Sequence, residues 1–257
     1  MPIPTKKYVR LEASSFLAEP SRDREATDLE LFLTSCKLHA GMRVLEIASG
    51  RGAVAFLLAA EGIPNVVGVD LCERNLHEAA RASTRGGGPR FVCADASRLP
   101  FDDGCFDLVV TRRGPHHFED LGAVLDEVHR VLAPGGRFVA HDRGIAPNTD
   151  ANAVWREVDR ILEQQGIEYT PSLWRRLLES RGFEVERLDP LERELPIDLW
   201  FDARIDDAAR NTLDRIVASD ARLGVRPRLR EVDGVRFFRH DFVRLSATKP
   251  VTTERDP

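Results

Sequence analysis

Val44 to Asp70 reads VLEIASGRGAVAFLLAAEGIPNVVGVD, and this stretch constrains the fold more than any other part of the chain. An apolar strand carries an acid, Glu46, just before a turn of small residues. A helix follows, and then a second apolar strand that ends in Asp70. A turn of small residues lets backbone N–H groups approach a ligand, and the helix behind it presents its positive dipole end. An acid closing the next strand, about 20 residues beyond the turn, can accept hydrogen bonds from both hydroxyls of a ribose. The unit therefore points to a nucleoside ligand.

The turn narrows the choice of nucleoside. A dinucleotide site wants G-x-G-x-x-G, whereas Glu46, Ala48, Gly50 and Gly52 follow E-x-A-x-G-x-G. A carboxylate at the start of the turn repels a pyrophosphate and suits a cationic ligand end. The pattern resembles motif I of the class I S-adenosylmethionine-dependent methyltransferases, usually E/D-x-G-x-G-x-G. Ala48 stands where the first glycine of that motif sits, and its extra methyl is tolerated there if Ala48 keeps φ negative.

Two further blocks extend the resemblance. CADASRLPFDDGCFDLVVTRRGPHHFED (Cys93 to Asp120) is similar to the family's stretch with an acid beside the adenine, an L-P-F turn, the fourth strand and the loop after it. VLAPGGRFVAHD (Val131 to Asp142) resembles its helix end, Pro-Gly-Gly turn and fifth strand. The His-His-Phe after strand four resembles the small-molecule branch that includes quinone-ring methyltransferases. The resemblance implies an α/β, Rossmann-like seven-stranded sheet, mostly parallel with the last strand antiparallel, helices on both faces and helical lid insertions. It also implies S-adenosylmethionine as cofactor, S-adenosylhomocysteine as product, and transfer of methyl to oxygen or carbon of a small-molecule acceptor.

Periodicity supplies the elements independently. Strands are expected near Arg43–Ala48, Val66–Val69, Arg90–Cys93, Phe106–Thr111 and Gly136–His141. Helices are expected at Asp23–Leu38, Gly52–Glu61, Glu73–Ala82 and Leu121–Leu132, the last with apolar residues at three and four spacing. Ser172 opens a further helix with Gly182 at its end, and Arg236 to Ala247 alternates as an edge strand would. We divide the chain into an N-terminal helical cap (1–40), a cofactor-binding core (41–142) and a substrate-side half (143–257), all within one domain spanning 1–257. About 192–234 interrupts what the family has as a hairpin. That interruption, from Leu195 to Gly224, and Val154 to Gln165 are two candidate lids.

Composition limits the partners. Charged residues make up 31% of the 257 and the net charge is −5 with the signs interspersed, so nucleic acid and anionic membrane are disfavoured. No signal-peptide pattern or uncharged membrane-length stretch is evident, and a cytoplasmic protein is expected, with a homodimer as a candidate assembly. Cys36, Cys72, Cys93 and Cys105 have no metal-ligand spacing, and no metal is expected. Cys93 and Cys105 are expected to be small core residues.

Under the resemblance, Glu46, Ala48, Gly50 and Gly52 lie beneath the methionine part of the cofactor and Asp70 holds the ribose. Leu71 packs on the adenine, Asp95 accepts from the adenine amino group with Ala96 beside it, and Arg112 is placed to bind a carboxylate. Methyl transfer from a sulfonium needs alignment more than a covalent nucleophile. Any general base is sought among His116, His117 and His141, which lie on the ligand side and titrate near neutrality. Two alternatives remain: a cofactor-binding sensor or scaffold without transfer activity, and an NAD-dependent oxidoreductase. The acid before the turn and the Pro-Gly-Gly block, which a nicotinamide enzyme does not need, weigh against the second.

Overall fold

A computed structural model describes residues 29–83, 88–144, 167, 169–196, 211, 229–232 and 235–251. Among the described residues there are eight strands: β1 (Arg43–Ile47), β2 (Asn65–Asp70), β3 (Arg90–Cys93), β4 (Phe106–Arg112), β5 (Leu132–Arg143), β6 (Glu184–Pro196), β7 (Leu229–Val232) and β8 (Val235–Thr248). The helices are α1 (residues 29–36), α2 (Ala53–Ala60), α3 (Glu73–Ser83), α4 (Leu121–Val131) and α5 (Pro171–Glu179). The strand order is β3-β2-β1-β4-β5-β8-β6. β3, β2, β1, β4 and β5 run parallel, and β8 is antiparallel to both β5 and β6. Seven strands thus lie along the hydrogen-bonded path, as expected. The eighth, β7, pairs with β8 over Leu229↔Phe238 to Val232↔Val235, beyond the point where β5 leaves that strand at Phe242.

Alternation along the parallel strands fills both faces. Leu45, Ile47, Val109, Phe138 and Ala140 face α4 and α5, in a cluster that includes the fully buried Trp174 and Leu178. Val44, Leu108, Val110 and Val139 point the other way, toward Phe32 of α1 and Leu57 and Leu58 of α2. A period of two on the strands against 3.6 on the helices produces these two layers, and each fully buried aliphatic side chain contributes about 1.5–3 kcal/mol. The helix starts follow from local sequence. Asp120 caps α4 by accepting from the Ala123 N–H at 3.0 Å, and Thr170 caps α5 through the Leu173 N–H with Pro171 at the first helical position.

Three expectations are corrected. β5 begins at Leu132, with the Pro-Gly-Gly turn looping out between the pairs Phe106↔Leu132 and Leu108↔Arg137. β6 runs on to Pro196, so Leu195 is a strand residue paired with Phe238 and does not belong to a lid. Cys93 is exposed, its Sγ 3.7 Å from the Leu71 carbonyl oxygen, because it ends an edge strand of the sheet. The remaining lid residues and Val154 to Gln165 lie outside the described residues, apart from Asn211, as does most of the N-terminal cap. Among the described residues no helix is long and apolar enough to cross a membrane.

The antiparallel edge is tied by Glu186 of β6. Its carboxylate accepts two bonds from Arg137 of β5 (2.7 and 2.8 Å), one from Thr248 of β8 (2.6 Å) and one from Lys37 (3.1 Å). Arg137, ahead of burial and the other donors, pulls the carboxyl down to about 2. An unfolded Glu titrates near ~4.3, so this contribution is complete above about pH 4.3 and is lost as pH falls toward 2. The shift corresponds to about 3 kcal/mol unscreened, and the side chain's 34% exposure reduces that to about 1 kcal/mol. Urea unfolding of Glu186→Gln should show about 1 kcal/mol lower stability at pH 7. The gap from wild type should close as the pH is lowered to about 2.

Candidate active site

The carboxyl ends of β1, β2, β4 and β5 converge beside the β1/β4 switch point, where open α/β sheets bind their ligands. Asp70, at the end of β2, anchors this edge. One carboxylate oxygen accepts from the Gly50 N–H at 2.7 Å and the other from the Cys72 N–H at 2.8 Å. Each oxygen retains a lone pair, so the group can hold two turns in place and still accept from a diol. Gly50 adopts φ +53, and a Cβ there would meet nothing within 4 Å, which leaves open space directly above the turn. Leu71, next to Asp70, is 68% exposed and offers an apolar surface at the rim.

Glu46 is 3% exposed, and its Oε2 accepts from the Ala55 N–H at 2.8 Å, inside the first turn of α2. The helix has no side-chain cap of its own at Gly52, so a carboxylate from the neighbouring strand supplies one. A negative charge thereby offsets the positive end of the helix, where a dinucleotide site would leave it for pyrophosphate. Gly52 has a packing role here: at φ +81 its N–H donates to the Ser49 carbonyl, and a Cβ would lie 2.5 Å from the Phe91 ring. Ala96 is buried in the core cluster below the rim.

Asp95 uses Oδ1 to accept from both the N–H and the hydroxyl of Ser97, each at 2.8 Å, and these bonds lower its carboxyl pKa, the backbone N–H first. Its Oδ2 is left for a ligand such as an exocyclic amine. Below it the Leu-Pro-Phe turn is fixed from α4. Arg130 donates to the Leu99 and Phe101 carbonyls at 3.0 and 2.7 Å, and Glu127 accepts from the Leu99 N–H at 2.7 Å.

Sequence reasoning missed the partner of His116. The 3-10 turn Pro115–His117 follows β4, and Asp142 at the end of β5 reaches it with both oxygens. Oδ2 accepts from the His116 backbone N–H and Oδ1 from its ring Nδ1, each at 2.6 Å, and Oδ1 also accepts from the Arg143 N–H at 2.8 Å. The side chains are 10% and 1% exposed. The sequence shows Asp142 only as an acid near the end of the fifth strand; its partner follows from the pairing of β4 with β5. The His117 ring packs against His116 with centroids 3.9 Å apart and the planes tilted by 49°. Its pKa is lowered chiefly by burial, then by His116 and Arg143, while Asp142 and Asp70 oppose the shift. Asp70 is thus within electrostatic reach of this loop.

His141 is not gathered with them. It neighbours Asp142 in the strand and so projects from the opposite sheet face, 2% exposed, with its ring edge-on to Phe242 at 5.6 Å. Arg112 stands beside it in register on β4, half-buried.

Residues 45–140 match the family pattern described as "Methyltransferase domain". Demethylmenaquinone methyltransferase of Thermus thermophilus is 40% identical over 145 residues, 55% of this chain and 63% of that protein, so the match spans less than two thirds of this relative's length. The uncharacterized protein YafE of Escherichia coli is 30% identical over 146 residues, 55% of this chain and 70% of that one. The chain belongs to the S-adenosylmethionine-dependent methyltransferase family. A candidate methyltransferase from Bacillus halodurans superposes on it with TM-score 0.76 at 25% identity, covering 87% of this chain and 99% of that one. S-adenosylmethionine is the cofactor of this family, and the residues at the sheet edge fit it. They offer a diol acceptor at Asp70, an open glycine at Gly50, an apolar rim at Leu71 and a spare acceptor at Asp95.

Ala48 departs from the methyltransferase motif, and the condition for an unstrained fit is not met: its φ is +54. The left-handed region costs an L-residue about 1–2 kcal/mol. Space for its methyl comes from Gly114 in the loop after β4, where a Cβ would lie 2.6 Å from the Ala48 Cβ and 2.9 Å from the Thr111 hydroxyl. Gly114→Ala should therefore cost about 1–3 kcal/mol by overpacking. Ala48→Gly in the same chain should restore most of the loss. A double-mutant cycle by denaturant unfolding is expected to give a coupling of about 1 kcal/mol or more.

Proposed function

We propose that this chain transfers a methyl group to oxygen or carbon of a small-molecule acceptor. The observation that carries this reading is the contact between two turns. The loop holding His116 abuts the cofactor turn, with Gly114 against Ala48, so acceptor chemistry and cofactor sit at one sheet edge. Bound S-adenosylmethionine supplies an electrophilic methyl on a sulfonium. The chain's own residues orient and shield it. Asp70 holds the diol, Gly50 leaves room over the turn, Leu71 covers an apolar face and Asp95 takes the amine. Arg112 is our candidate for a carboxylate, while Glu46 keeps the helix end from attracting an anion. His116 and His117 are the candidate bases, and His141, covered by Phe242, ranks behind them. The name of the Thermus relative supports a quinone-ring or similarly hydroxylated acceptor. In this reading 41–142 bind the cofactor and the later half, with the helical insertion, the acceptor.

Titration calorimetry with S-adenosylhomocysteine tests the cofactor assignment. Asp70→Ala loses two hydrogen bonds to a charged acceptor, and binding should weaken by about 100-fold. Equal affinity would remove the ribose role of Asp70. Tighter binding of NAD than of S-adenosylhomocysteine by the wild type would overturn the reading.

A further inference from the structure

The strongest unassigned feature is the buried pair between His116 and Asp142. We propose that Asp142 is a positioning residue that fixes His116 as the Nδ1–H tautomer, so that Nε2 is the base that takes the proton of an acceptor hydroxyl. The inference deepens the proposed methyl transfer and rests on it.

With Asp142 ionised, the geometry puts a proton on His116 Nδ1. A carboxylate is acceptor-only, so the 2.6 Å contact between Asp142 Oδ1 and His116 Nδ1 requires the proton on Nδ1. The second carboxylate oxygen accepts the His116 backbone N–H at 2.6 Å, so one side chain clamps both the ring and the main chain of the same residue. The Arg143 N–H supplies a third donor to the carboxylate. A carboxylate 1% exposed needs such donors, because burying an unpaired charge is expensive. Nε2 makes no hydrogen bond among the described residues, and the side chain remains 10% exposed.

The surroundings are consistent with a base rather than an idle core histidine. The His117 ring lies against that of His116 at a 49° tilt, and Arg143 and Asp70 both act electrostatically on His117. From the other side the Ile167 N–H donates to the His116 carbonyl at 2.7 Å, and the Tyr169 hydroxyl donates to the Phe118 carbonyl at 3.2 Å. Burial, with Asp120 and Asp142 nearby, raises the Tyr169 phenol, which stays neutral and does not compete as a base. Asp142 and His117 contact His116 directly, Arg143 and Asp70 act on the neighbouring His117, and Asp120 and Asp142 act on Tyr169 at the same loop.

The proton balance defines the acceptor class. As the acceptor oxygen gains the methyl carbon, its O–H proton passes to Nε2. The bonding pair of the broken C–S bond stays on sulfur, leaving a neutral thioether, and the imidazolium later releases its proton to water. An acceptor that needs this help carries a phenol, enol or hydroquinone hydroxyl.

The test has two arms on the full chain bound to S-adenosylhomocysteine or S-adenosylmethionine. In the first, long-range 1H–15N spectra of 15N-histidine protein, with His116→Gln for assignment, should show neutral His116 as the Nδ1–H tautomer. Asp142→Asn should lose that preference. In the second, methyl transfer to reduced menadione and to catechol is followed across pH. The wild-type rate should fall toward acid pH along the His116 titration seen by NMR. Asp142→Asn and His116→Gln should lower kcat by about 100-fold or more, with KM for the probe and affinity for S-adenosylhomocysteine unchanged. An Nε2–H tautomer in the wild type overturns the proposal whatever the rates. So does a rate that ignores the His116 titration, or a binding-competent wild type that methylates neither probe. Absence of S-adenosylhomocysteine binding instead overturns the underlying cofactor reading and leaves the tautomer result standing.

Discussion

Two strand-end turns depend on the single carboxylate of Asp70. By accepting the Gly50 and Cys72 N–H groups it joins the turn after β1 to the turn after β2, and so sets the width of the cleft between them. Hydrogen bonds to a charged acceptor are among the stronger ones available in water-exposed structure. The remaining lone pairs of the same group are what a ribose needs. In the proposed reading, support and recognition come from one side chain, and the ligand meets a turn already in place.

Acids recur along the carboxyl edge of the sheet: Glu46 within β1, Asp70 at the end of β2, Asp95 just after β3 and Asp142 near the end of β5. Each is satisfied by N–H donors, and each does a different job. Glu46 closes the helix end, Asp70 spans two turns, Asp95 forms a local turn with Ser97, and Asp142 clamps His116. A site lined this way suits a ligand with a cationic centre and neutral hydroxyls better than one carrying phosphate. The departure at Ala48 belongs to the same economy of space, since the methyl that the motif's usual glycine lacks is matched by a missing one at Gly114 across the cleft.

Much of the fold was legible because its signals are local. Three valines around Gly68 on β2, the three and four spacing of α4 and the alternation of Arg236 to Ala247 report burial on one or two faces. Burial depends on the period of the side chains, which the sequence carries. The start of β5 was misjudged for the opposite reason: Leu132 joins the sheet by pairing with Phe106, while proline and two glycines just beyond it signal a turn. Cys93 was misjudged because strand periodicity does not tell which strand lies at an edge.

The sequence by itself determined the order of strands and helices, the acid, small-residue turn and acid of the cofactor unit, and the histidines after β4. All of these depend on residue types at short spacing. Only the tertiary structure decided which of those groups meet. Glu46 turned inward to a helix end, Gly52 went to Phe91, and His141 fell on the far face of the sheet. Asp142, 26 positions from His116, became its partner because β4 and β5 lie side by side in parallel register. A contact at that separation depends on how the sheet is assembled, which no local pattern encodes.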